Sequence, residues 1–75
     1  MSKIGYKIGT DGHRYLCRAV YDSEGYPDVC EEYSKRTFAW ERSDDAWDVM
    51  CGWAPGYDIS AAEAKKFIED AKKNA

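Results

Sequence analysis

Long apolar runs are missing from this chain, and so are most of the residues that announce chemistry. No stretch approaches the roughly 18 apolar residues needed to cross a bilayer. The N-terminal MSKIGYKIGTDG also lacks the apolar core of a secretory signal. A soluble, cytoplasmic protein with no membrane partner is the expectation. Histidine occurs once, at His13, and proline only twice. Cysteine is scarce and odd in number. Cys17, Cys30 and Cys51 match no spacing of a disulfide scaffold, which suits a reducing compartment, although the sequence is compatible with one bridge between two of them. A Gly-rich phosphate loop of the Walker or dinucleotide type is absent too, since GYKIG and GTDG read as strand glycines and a turn.

These scarcities weigh against catalysis and against metal. Three cysteines and one histidine could in principle supply a Cys₃His zinc set. His13 and Cys17, however, fall four residues apart on one predicted strand, about 13 Å between α-carbons at about 3.3 Å per residue. Zinc bonds are only about 2.0–2.3 Å long, and no CxxC or HxxxH knuckle is present. Small buried cysteines are the simpler reading. Cys51 sits near the C-terminal end of a predicted helix, where the dipole disfavours a thiolate. DDAWD, Asp44 to Asp48, resembles the DDxxD magnesium motif of prenyl-diphosphate synthases over those five residues alone, and helix capping accounts for its acids. Glu31-Glu32 lacks the cleft and controlled separation of a glycosidase pair. No enzyme activity, no metal and no cofactor are expected.

What is present is a globular composition. Seventy-five residues, 44% hydrophobic and 33% charged, are expected to form a single small domain, 1–75, near the lower limit for unaided folding. The start at Met1 is what a complete small protein would show. KIGYKIG and HRYLCRAVYD flank Asp11-Gly12, a two-residue signal for a type I′ hairpin spanning 3–21. Closing the turn there pairs Ile8 with Tyr15, Tyr6 with Cys17 and Ile4 with Ala19 on one face. The other face collects Lys7, Arg14, Leu16, Arg18 and Val20. DSEGYPD reads as a loop. The next segment, VCEEYSKRTFAWE, suits either a helix with Glu31–Lys35 and Glu32–Arg36 pairs or a strand. A hairpin alone is marginal, so a third strand at about 36–41 is favoured, with a helical turn or loop over 28–34.

Ser43 reads as an N-cap with Asp44 and Asp45 in the first turn, and Gly52 as the stop of a helix over about 44–52. Ser60 to Glu63 is a capping box, with Ile59 and Ala64 placed as a hydrophobic staple. Ala64, Phe67, Ile68 and Ala71 then form one stripe of a helix over 61–73. The predicted class is α+β: an antiparallel sheet of about three strands with both C-terminal helices packed on one face.

Charge and aromatics carry the functional signal. Residues 1–21 hold four cations against one acid, whereas residues 22–48 hold nine acids against three cations. An acidic middle suits a basic protein surface better than nucleic acid. Three Trp, six Tyr and two Phe are many for so small a core. On a helical wheel from Asp44 the apolar residues cover about 200°, wider than one packing face needs. Trp47 and Trp53 therefore do not both point inward, unless Trp53 folds back to cap the second helix. The leading expectation is a non-catalytic module binding a larger protein with a basic surface. It would act through Asp44, Asp45, Trp47, Asp48 and Trp53, with Glu31 and Glu32 nearby. Small acidic domains of this character resemble phage and mobile-element accessory inhibitors of CRISPR or restriction systems, a likeness of size and character carried by no motif. The alternative is a nucleic-acid-associated regulator using Lys7, Arg14 and Arg18 on a basic sheet face. A homodimer is a further way to bury the excess aromatics.

Overall fold

The structure, a computed structural model, describes residues 3–74. Five strands and two helices follow one another as β1 (Lys3–Gly9), β2 (Tyr15–Tyr21), β3 (Pro27–Ser34), β4 (Ala39–Arg42), α1 (Asp44–Met50), β5 (Gly56–Ile59) and α2 (Ala61–Lys73). The strands form one sheet in the order β4-β3-β2-β1-β5, with every neighbouring pair antiparallel. The class is α+β as expected, but the sheet has five strands where about three were predicted.

The hairpin of β1 and β2 forms in a different register from the one read off Asp11-Gly12. Gly9 pairs with Tyr15, Ile8 with Leu16, Lys7 with Cys17 and Tyr6 with Arg18, so a longer loop over 10–14 closes the turn around Gly12 at φ 81°. A slip of one residue moves every side chain to the other face. Its cause lies in the glycines. A β-carbon on Gly9 would stand 2.3 Å from the Tyr15 ring, and one on Gly5 would stand 2.8 Å from that of Tyr21. The two tyrosines therefore lie across the two glycines, filling the gaps that the turn-based register left open.

Both faces of β2 are covered as a result. Tyr15, Cys17 and Ala19 join Cys30 of β3 and pack against Ala46, Val49 and Met50 of α1. Leu16, with Ile8 and Tyr33, packs on the opposite side against Ala64, Phe67, Ile68 and Ala71 of α2. The two helices thus occupy opposite faces of the sheet, not one face as expected. A central strand buried on both sides reads as a near-continuous apolar run, and YLCRAV is one.

The segment expected to be a helical turn or loop over 28–34 lies in β3, and of the expected strand at 36–41 the first half belongs to a turn over 35–38 and only 39–41 is strand. Glu31 faces Arg18 across the β2–β3 ladder in place of the helical i,i+4 pairs. The turn closes with Phe38 in the left-handed region, φ 55°, its N–H donating to the Ser34 carbonyl at 2.8 Å. β5 is, after β3, the second strand absent from the sequence expectation, pairing Tyr57 with Ile8 and Ile59 with Tyr6. The helix termini form as read. The Ser43 Oγ accepts the Ala46 N–H, Cys51 ends α1, and Gly52 turns the chain at φ 83°. The capping box of Ser60 and Glu63 is complete. Ile59 and Ala64 pack in the same cluster beneath α2. Among the described residues, no helix is long and apolar enough to cross a membrane.

Candidate partner-binding surface

The surface on the outer side of α1 follows from how this short helix is built. Its buried side is Ala46, Val49 and Met50, all nearly inaccessible to solvent. Asp44, Asp45 and Asp48 project outward, the first two completing the positive end of the helix dipole. Trp47 lies among them and is 44% exposed. Beyond Gly52 the chain is held by its own backbone: the Trp53 and Ala54 N–H groups both donate to the Asp48 carbonyl, at 2.8 and 3.1 Å. Trp53 is consequently presented outward at 85% exposure. It does not fold back over the second helix, so both tryptophans are accessible.

Among the described residues, Asp44, Asp45 and Asp48 take part in no ion pair. They stand next to two exposed aromatic surfaces, with Arg42 lining a concavity beside Asp44 and Arg14, Arg36 and Arg42 lining a cleft with Asp45. Glu32 belongs to this side of the sheet, where it accepts the Ser43 hydroxyl at 3.3 Å and so steadies the start of α1. Glu31 does not. It points to the α2 side, where Arg18 Nε and Nη2 both reach its Oε1 at 2.9 Å.

The three cations of the nucleic-acid alternative are scattered by the register. Lys7 lies on the α1 side, 3.6 Å from Asp58. Arg18 lies on the α2 side, paired with Glu31 and stacked over the Trp40 ring at 4.2 Å. Arg14 donates to the Tyr57 hydroxyl at 2.8 Å. They share no single face, and each is occupied by a partner within the domain.

The thiols are placed for packing. Cys17, Cys30 and Cys51 are free. Burial pushes the Cys17 thiol up to about 12, and burial together with the nearby Cys51 pushes Cys30 up to about 11. Neither carries appreciable thiolate near neutrality. A cleft of about 500 Å³ at the end of the sheet brings His13 and Arg14 near Glu32, Arg36 and Asp45, and no cysteine lines it. Among the described residues, no group of three or more His, Cys, Asp or Glu side chains converges in a way that could hold a metal.

Fold and surface together define a small α+β domain, one helix on each face of a five-stranded antiparallel sheet, with an acidic, tryptophan-bearing helix turned outward. Comparison with known protein families, with curated proteins and with solved structures finds no match to this chain.

Proposed function

We propose that this domain is a non-catalytic protein-binding module that modulates or inhibits a larger partner by occupying a basic region of its surface with the outer side of α1. The observation that supports this reading is the exposure of Trp53 and Trp47 beside three carboxylates that form no ion pair among the described residues. Burial of an aromatic ring at the centre of an interface, inside a charged rim, is where binding energy concentrates. The surrounding acids would raise the encounter rate with a basic partner and make the complex weaken with salt. A nucleic-acid groove on an enzyme is one basic surface of suitable character, which fits an accessory inhibitor of the phage or mobile-element kind.

The test is capture of partners from the native cell by the wild-type protein, with and without nuclease, compared with Trp53→Ala and with Asp44→Lys/Asp48→Lys. A protein retained after nuclease treatment, and lost with either variant, is the expected result. Capture that depends on nucleic acid, or that is indifferent to both variants, refutes the assignment.

A further inference from the structure

Within the surface proposed above, one edge of the sheet is unfinished. β4 pairs with β3 only over Glu31–Ser34. Toward the start of β3, Val29 and Cys30 pair inward with Val20 and Ala19. Among the described residues, no strand pairs with them from outside. Had β4 continued, the residues after Arg42 would lie there. Ser43 instead caps α1 and lifts the chain onto the face of the sheet. Among the described residues, no loop or cap backbone group bonds to Asp28, Val29 or Cys30. Because ladder groups alternate in direction along an antiparallel strand, part of their N–H and C=O set points outward without a partner.

The vacant edge opens into a concavity of about 310 Å³ between β3 and α1. Trp47 forms one wall and Asp28 and Asp44 supply carboxylates, with Arg42 at the end where β4 stops. Asp28 is the extra residue of a bulge in the β2–β3 ladder, and it lines the same concavity as Cys30 and Trp47. Backbone groups awaiting a strand, an apolar wall and two carboxylates thus meet in one slot.

We propose that this slot takes an extended, lysine- or arginine-bearing segment of the partner, which adds to β3 as a strand collinear with β4 and places a cationic side chain against Trp47 between Asp28 and Asp44. The inference rests on the protein-binding reading above and names the kind of segment involved. At about 3.3 Å per residue the open edge accommodates about three or four residues of the incoming chain. Main-chain bonds would hold it, and alternate side chains would enter the concavity, as in other strand additions. The alkyl stem of a lysine or arginine suits the Trp47 ring, and its charged head suits the carboxylates. A second copy of this chain fits worse. Symmetric pairing of the same edges would set the Asp28 and Asp44 carboxylates of one copy against those of the other.

The experiment titrates the full chain with a short peptide of alternating lysine and valine. Parallel titrations use the same peptide with a fully N-methylated backbone, and one with glutamate in place of lysine. Backbone amide shifts and hydrogen exchange report where each binds. The expected result is binding that slows exchange of outward amides within Asp28–Cys30. N-methylation, lysine-to-glutamate exchange and Asp28→Lys should each weaken it at least about tenfold, the scale of one or two lost bonds or a charge-assisted contact. Asp28 is exposed, so its replacement leaves the fold in place. Absence of binding overturns the inference. So does binding that is insensitive to N-methylation or that maps away from β3. A dimer of the protein alone, with these amides already protected, overturns it as well. Each of these outcomes leaves the capture experiment with Trp53→Ala to decide the broader reading separately.

Discussion

Substituting Gly9 by alanine tests the sheet register directly. The new β-carbon would lie 2.3 and 2.4 Å from two carbons of the Tyr15 ring and 2.8 Å from its hydroxyl. Carbon atoms in contact sit at roughly 3.5–4.0 Å, so the ring must retreat by more than about 1 Å. Tyr15 has little room to do so, being 7% exposed and packed with Cys17, Ala46 and Val49 under α1. Overpacking of this kind costs about 1–3 kcal/mol, and complete loss of the ring's packing about 3–5 kcal/mol. Alanine recovers about 0.5–1 kcal/mol over glycine through backbone entropy. A net loss of about 2 kcal/mol is expected, from a total of about 4–11 kcal/mol for a domain of this length. Urea unfolding, with an m-value of about 1 kcal/mol/M, would show the midpoint falling by about 2 M. In a Tyr15→Ala background the same glycine substitution should be neutral or mildly stabilising. Gly5→Ala should cost less than about 1 kcal/mol, because it meets the outer edge of a half-buried Tyr21 ring that can swing away. A Gly9→Ala protein as stable as the wild type would refute this register. An equal penalty with and without Tyr15 would refute the contact.

Three further outcomes follow from burial. The Tyr33 hydroxyl is buried with no hydrogen-bond partner among the described residues, in a residue only 5% exposed. Tyr33→Phe should therefore hold or raise stability, by up to about 1 kcal/mol, and a thermal midpoint that drops would reveal a bond to that oxygen. Cys17 and Cys30 ionise at about 12 and about 11 in the folded chain, against about 9 when unperturbed, with Tyr15 and Tyr21 also shifted upward by burial. A raised acid pKa contributes stability that is whole below the unfolded value and lost as pH climbs through the folded one. Unfolding midpoints should thus fall from about pH 9 upward, and Cys17→Ala should flatten that decline. In the native protein at pH 8, a thiol reagent should modify Cys51 well before the other two.

What could be read in advance was mainly local. Ser43, Gly52, and the Ser60–Glu63 box state their roles through side-chain chemistry that needs no distant partner, and the structure places all of them as read. Register and layering depend on contacts far apart in sequence. Asp11-Gly12 is a strong turn signal, yet it was outweighed by two tyrosines each needing a glycine to lie across. The apolar continuity of YLCRAV already carried the information that β2 is covered twice, which separates the helices onto two faces. β5 is only four residues long and acquires its meaning from pairing with β1, so Pro55-Gly56 read as a break instead of a strand entry. At the candidate site, the acids and Trp47 of α1 were legible because helical spacing defines which of them can face inward, whereas the outward setting of Trp53 comes from the backbone bonds beyond Gly52. The slot on β3 was not, because an unpaired edge exists only once β4 is seen to stop at Arg42.

The register also decides which charged groups are free to act outside the domain. By turning Arg18 and Glu31 toward α2, it places them together under Trp40, where a stacked, paired guanidinium serves the domain's own packing. By turning Lys7 the other way, it sets that amine beside Asp58. The acids of α1 receive no such partner among the described residues. Trp53 completes the contrast. Burying a ring of roughly 200 Å² would stabilise the fold by about 5 kcal/mol at about 25 cal/mol per Å². That is comparable with the whole stability expected of a chain this short. The backbone bonds to Asp48 nevertheless hold this residue away from the core. Folding therefore gives no reason for a tryptophan at this position, and the apolar surface it forgoes burying is available to a partner that can also meet the neighbouring carboxylates.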